Sequence, residues 1–433
     1  MMNKSIIITF AVLSMLPVTT GFAQNSSLPR VSFRPPEALS VSASQSNAHL
    51  SASAVSNTVF DTSGCLHLTW WSGAETVTPA TPSSVYHCAW SREKGWSDEH
   101  LIAGFPATLG ARQPSLSALD GGRVWIAWHD HRHCTASGNY IDNTELYGTV
   151  TDVDGVKIID QRRLTQTVAE HKGDNAYCPK VLFRAPDTVY INWYDFHYNG
   201  WVSDIFLAKV NANNPLTPLD MASARLTNAT THAGKAYVQC DFSLMADGGV
   251  ACVWGTGTTW MTDLMFMEVT PSGVVSRTSV VASSDVSYYD PACIRVSPTT
   301  GMSVVLWPSQ EQEASQMRVA CKPTASETFT MSTLDAREGV TQRRVDAEFD
   351  SAGRLHIVWA DDRNGDSQIW YVCMNCETGE KSQPLCVSGD GAWVAATLAL
   401  DEVGLPYIVA QTENDSLSLI APEKAGVSDW FAY

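Results

Sequence analysis

Gly353-Arg354-Leu355-His356-Ile357-Val358-Trp359 reads as one unit, a turn glycine followed by a mostly apolar run that closes on tryptophan. The unit recurs as Gly64-Cys65-Leu66-His67-Leu68-Thr69-Trp70, Gly122-Arg123-Val124-Trp125-Ile126-Ala127-Trp128, Gly249-Val250-Ala251-Cys252-Val253-Trp254 and Gly301-Met302-Ser303-Val304-Val305-Leu306-Trp307. Thr188-Val189-Tyr190-Ile191-Asn192-Trp193 lacks the glycine, and Gly404-Leu405-Pro406-Tyr407-Ile408-Val409-Ala410 lacks the tryptophan. The intervals between the seven closing residues are 58, 65, 61, 53, 52 and 51. That spacing is close to the length of a four-stranded propeller blade. Near-continuous apolar runs suit strands covered on both faces, as when each blade is sandwiched between two others.

Outward from each unit the pattern repeats. A strand such as Pro114 to Leu119 or Val345 to Phe349 precedes it across a tight turn; a polar loop and a third strand, such as Glu145 to Val150 or Gln368 to Cys373, follow it. A further glycine turn, at Asp154-Gly155, Ser272-Gly273 or Thr378-Gly379, leads to a fourth. The expected fold is all-β: a seven-bladed β-propeller of four-stranded antiparallel blades. Phe33 to Ser40 looks like a fourth strand standing before the first complete blade. It is expected to complete the last blade, so that an N-terminal strand closes the ring and removes a free sheet edge. Residues 24–433 then form a single domain. Residues 1–23 read as a signal peptide, with Lys4, an apolar core from Ser5 to about Leu16 and small residues before Gln24, so the mature chain is expected to be secreted or periplasmic.

Composition narrows the partners. Of 433 residues, 44% are hydrophobic and 17% charged, which excludes a disordered chain. The formal charge of -17 opposes nucleic acid and anionic membrane surfaces, and no downstream segment is apolar enough for a membrane span. Eleven cysteines are too few for a disulfide scaffold. Cys373 and Cys376 form a CxxC motif that reads as hairpin structure, with no second pair for zinc.

Val358-Trp359-Ala360-Asp361-Asp362-Arg363-Asn364-Gly365-Asp366-Ser367-Gln368-Ile369-Trp370-Tyr371, with the strand ends Arg163-Leu164-Thr165 and Arg225-Leu226-Thr227, resembles the secreted sialidase-like propellers known as BNR or Asp-box repeat proteins. The resemblance runs from about residue 30 to the end and implies architecture more than activity. Two departures count against sialidase activity itself. The Asp box survives once and degraded, as Ser91 to Trp96, and the Arg-Ile-Pro signature has only an echo at Phe33-Arg34-Pro35-Pro36, on the expected closing strand.

In such a ring the loops into the first strands and those between second and third strands share a face, where function gathers. Arg112, Tyr177, Tyr237, Tyr289, Asp290, Arg343, Arg344 and Trp393 stand near the starts of innermost strands. Arginines there suit a sugar carboxylate or sulfate, and aromatic rings suit a sugar face. The second loops add His129, His131 and His133, and then Asp195, His197 and Trp201. Asp130, Asp195 and Asp361 each follow the closing tryptophan by two residues, which points first to a repeated loop-fixing bond. The leading expectation is recognition of a glycan or acidic polysaccharide through Arg112, His129, His197, Trp201, Tyr237, Arg343 and Trp393. A carbohydrate-active enzyme, a glycoside hydrolase or polysaccharide lyase, is the alternative, with Tyr177, Asp195, Tyr289 and Asp290 as catalytic candidates. A scaffold binding an envelope protein is the third reading. No cofactor and no metal is expected; His129, His131 and His133 alone define no ligand set.

Overall fold

Seven antiparallel blades succeed one another along the chain, those of residues 236–287 and 293–333 joined through a Val286–Ser309 pair into one continuous sheet. The computed structural model describes residues 28–39, 48–51, 56–73, 83–104, 110–134, 143–166, 175–196, 203–214, 218–228, 236–257, 261–287, 290, 292–311 and 314–423. The signal segment thus lies outside the described residues. The innermost strands are Thr58–Phe60, Ala111–Leu119, Ala176–Arg184, Ala236–Leu244, Cys293–Val296, Gln342–Phe349 and Trp393–Leu400. Each pairs with a second strand that carries the repeated unit: Leu66–Ser72, Arg123–Asp130, Thr188–Asp195, Val250–Gly257, Ser303–Glu311, Arg354–Asn364 and Pro406–Thr412. Third and outer strands continue the meander, and the one helix among the described residues is the single turn Met221–Ala224.

The ring closes as the sequence predicts. Glu37–Ala38 adds antiparallel to Leu417–Ile420, Glu37 opposite Leu419 and Ala38 opposite Ser418. Flanking bonds extend the pairing, from Arg34 N–H to Ala421 O at 2.9 Å and from Leu39 N–H to Leu417 O at 2.9 Å. Blade 7 therefore takes three strands from the end of the chain and its outermost from the beginning.

Why the unit ends in tryptophan is visible in the packing. Among the described residues the buried apolar side chains form seven clusters, one in each seam between blades. Trp70, Trp128, Trp193, Trp254, Trp307 and Trp359 each lie in the seam with the preceding blade, all but Trp254 wholly shielded from solvent. A large flat side chain at this position helps to fill the wedge between two twisted sheets. In the seam between blades 6 and 7, where the unit ends in Ala410, Trp393 occupies the cluster instead, at 6% exposure. The expectation that Trp393 presents its ring to a sugar is corrected by this: its ring packs in the core because the small Ala410 leaves volume to fill.

Candidate functional site

The polar residues nearest the axis serve the ring itself. On each innermost strand, the residue facing the position before the closing tryptophan, or before Ala410 in blade 7, is Asn57, Ser115, Lys180, Asp241, Cys293, Asp346 or Thr397. All but Cys293 are polar, and they join blade to blade. Asn57 Nδ2 donates to Pro114 O at 3.0 Å, Val181 N–H donates to Ser115 Oγ at 3.1 Å, and Lys180 pairs with Asp241. Asp241 accepts from Ile294 N–H at 2.8 Å and from Arg295 at 3.0 Å. Arg295 reaches Asp346 at 2.8 Å, Asp346 accepts from Leu398 N–H at 2.8 Å, and Thr397 meets Thr58 at 3.0 Å. The belt crosses every seam, and its buried charges alternate in sign from Lys180 to Asp346. Sequence reading passed over these residues; a polar residue recurring at the blade interval was the signal for them. Toward the far ends of the innermost strands, the axis holds a cavity of about 360 Å3 lined by Arg295, Asp346, Glu348 and Thr58 among others.

The aspartate after the tryptophan does fix its loop. Trp128 Nε1 donates to Asp130 at 2.9 Å, Trp193 Nε1 to Asp195 at 3.2 Å and Trp359 Nε1 to Asp361 at 3.2 Å. Arg132 and Arg363 return to the same carboxylates through Nε, at 2.9 and 2.8 Å. Their guanidinium carbons lie 3.9 Å from the Tyr147 ring centre and 3.8 Å from that of Trp370, the aromatic opposite the tryptophan on the third strand. The Trp-x-Asp-x-Arg pattern is thus a buried clamp between second strand, loop and third strand. Asp195, expected as a catalytic acid or base, is 1% exposed and holds the same place in blade 3.

Beside this clamp, on the face where innermost strands begin, the seam between blades 2 and 3 gathers three residues singled out by sequence, His129, His131 and Tyr177. Arg112 of blade 2 acts on the two histidines by charge and turns its guanidinium to Ser83 of blade 1, Nε donating to Oγ at 3.0 Å. A bulge after Arg112 and another after Tyr177 take two residues out of each ladder, with Gln113 and Cys178 at φ of 50° and 51°. Left-handed backbone at non-glycine residues is costly and gathers near functional sites. The His129 ring meets Tyr177 edge-on at 5.2 Å and His131 at 5.2 Å, and its Nδ1 accepts from Cys178 N–H at 3.4 Å. Tyr177 also contacts Tyr194 and Phe196, at 5.7 and 6.2 Å. Arg112 lies 5.1 Å over Trp71, whose ring also stacks on His49 at 4.3 Å.

Electrostatics keep this cluster neutral apart from the guanidinium. Burial, then His131 and Arg112, hold His129 well below the ordinary imidazole range. Burial and Arg112 pull His131 down to about 4, against an opposing pull from Asp130. Burial drives the Tyr177 phenol up beyond its usual range. At neutral pH the site holds two neutral imidazoles, a protonated phenol and a cation. His131 donates or accepts at Thr144 Oγ1, 3.1 Å away, while its Nε2 is buried with no hydrogen-bond partner. His133 turns to the Tyr147 hydroxyl at 2.6 Å, so the three histidines do not converge.

The other candidates stand elsewhere. Asp290 approaches Arg344 Nε at 3.7 Å, with the exposed Arg343 beside it, in the seam between blades 5 and 6, three seams from the first cluster. Burial raises the Asp290 carboxyl, and Arg344 and Arg343 oppose that rise. Tyr237 lies in its innermost strand opposite Thr256. Tyr289, His197 and Trp201 lie outside the described residues.

No family model matches the chain, and no curated protein matches it by sequence. Solved structures do. One is a protein of unknown function from Dyadobacter fermentans, 11% identical, covering 80% of this chain and 99% of its own, with a TM-score of 0.54. Another is the polysaccharide lyase Uly1, 9% identical, covering 89% and 93%, with a TM-score of 0.52. A leech intramolecular trans-sialidase complexed with 2,7-anhydro-Neu5Ac is 10% identical and covers 93% and 71%, with a TM-score of 0.47. At these identities the likeness is one of fold. No helix among the described residues is long and apolar enough to cross a membrane.

Proposed function

We propose that the chain is an exported propeller that recognises an acidic carbohydrate at the seam of blades 2 and 3, without sialidase activity. The observation that carries this reading is the cluster of Tyr177, His129 and Tyr194 rings on the face where innermost strands begin, with the Arg112 charge close enough to act on His129. A guanidinium supplies a partner for a uronate carboxylate or sulfate, and tyrosine rings supply a surface for the apolar side of a pyranose. The fold shared with a polysaccharide lyase is consistent with it. Against sialidase chemistry, Arg34 sits on the outer strand of blade 7, beside the Phe33–Pro422 bridge and away from the axis.

The test is calorimetric titration of the mature protein with oligouronates and sulfated oligosaccharides, after a glycan array has ranked them. Tyr177→Ala is expected to weaken binding about tenfold or more, about 1.4 kcal/mol, measured well below a melting temperature that the loss of this packed ring lowers. Failure to bind any acidic glycan overturns the reading.

One observation favours a second reading, elimination by a lyase. The Arg112 charge acts on His129, which touches the protonated Tyr177. Removing a proton next to a sugar carboxylate needs that carboxylate neutralised and proton-transfer groups at hand. Ultraviolet absorbance of an unsaturated uronate product, lost in Tyr177→Phe, would establish it; intact oligouronate after prolonged incubation would leave binding alone.

A further inference from the structure

The CxxC residues do not face each other. Cys373 lies on the third strand of blade 6 and packs in the seam toward blade 7, with Tyr371 and Trp393. Cys376, three residues on, packs in the seam toward blade 5, with Leu334 and Met374. An odd separation along an extended chain sends side chains to opposite faces of a sheet. Packed against that same blade 5–6 cluster is Cys321, from the third strand of blade 5, where it stands opposite Val304 and Thr330. Cys321 and Cys376 thus share the packing of this seam, near enough for each thiol to act on the other. Cys321 is partly exposed and Cys376 is 9% exposed, so a reagent in solution reaches the pair from the Cys321 side.

From this juxtaposition of two thiols across one seam, we propose that Cys321 and Cys376 close an inter-blade disulfide when the folded chain meets a thiol–disulfide oxidant. The Cys321 thiol, the more exposed of the two, loses its proton to solvent, attacks one sulfur of the oxidant's disulfide and expels a thiolate. Cys376 then gives up its proton and attacks the Cys321 sulfur of the mixed disulfide, expelling the second thiolate. Two protein thiols become one disulfide and the oxidant is reduced to two thiols, a balanced two-electron exchange. The bond ties blade 5 to blade 6 across 55 residues of chain, and it is independent of any glycan bound elsewhere.

Folded protein incubated with glutathione disulfide, then alkylated under denaturing conditions, provides the test. Trypsin with cyanogen bromide, which cuts after Met374, separates Cys373 from Cys376 before mass spectrometry. A linked fragment pair containing Cys321 and Cys376 is expected, absent in Cys321→Ser, where Cys376 becomes alkylated. Alkylation of both residues in the wild-type chain, or Cys376 recovered joined to Cys373, overturns the proposal.

Discussion

Asp241 shows how a single carboxylate serves several blades. It pairs with Lys180 and Arg295 and accepts the Ile294 and Phe242 amides, all wholly or nearly buried. Asp241→Asn takes the paired carboxylate from buried Lys180 and one carboxylate from Arg295, which keeps Asp346, and a loss of about 3–5 kcal/mol is expected in urea unfolding. A loss below about 1 kcal/mol would mean the belt is dispensable. His131 carries a pH signature of opposite origin. Burial lowers its folded value to about 4 from 6.5, so the unfolded chain binds more protons between those values. Its share of stability is complete above about pH 6.5 and is lost as pH falls toward 4. His131→Gln is expected to flatten that part of the stability curve, as read by denaturant midpoints at successive pH values; an unchanged slope would place the titration elsewhere.

Among the elements, the shortest described strand in blade 7 has the longest reach. Glu37–Ala38 contributes only two ladder residues, yet with its flanking bonds it joins the start of the chain to residues 417–423. Without it Leu417–Ile420 becomes a free edge and the seam between blades 6 and 7 loses Leu28 and Phe33. A chain beginning at about residue 45 is expected to melt without cooperativity or to aggregate, whereas one beginning at Gln24 melts as a unit. Coincident melting curves would show that blade 7 is stable with three strands.

At the scale of the molecule, the seams bear the stability. Each holds the tryptophan that closes the following blade's repeated unit, except the one where Trp393 takes that role from another strand. Trp393→Ala is expected to cost about 3–5 kcal/mol in thermal or urea unfolding. Because that seam is remote from the cluster at blades 2 and 3, affinity for an acidic oligosaccharide measured well below the transition should stay as in the wild type. A selective loss of affinity with unchanged stability would restore Trp393 as a sugar platform.

The repeat of glycine, apolar run and tryptophan determined the number of blades, their antiparallel meander and the closing strand, because burial on both faces of a strand is written in its own residues. The loop-fixing role of Asp130, Asp195 and Asp361 was legible for the same reason: donor and acceptor lie two residues apart. Contacts between blades were not legible, since they join residues tens of positions apart whose orientation depends on bulges and twist. Only the tertiary structure decided that His129 and Tyr177 meet beside the Arg112 charge while Asp290 and Arg343 stand on another seam. It alone showed that Trp393 fills a core, that Lys180, Asp241, Arg295 and Asp346 form one belt, and that Cys376 faces Cys321 across a seam while its neighbour in the motif faces the other way.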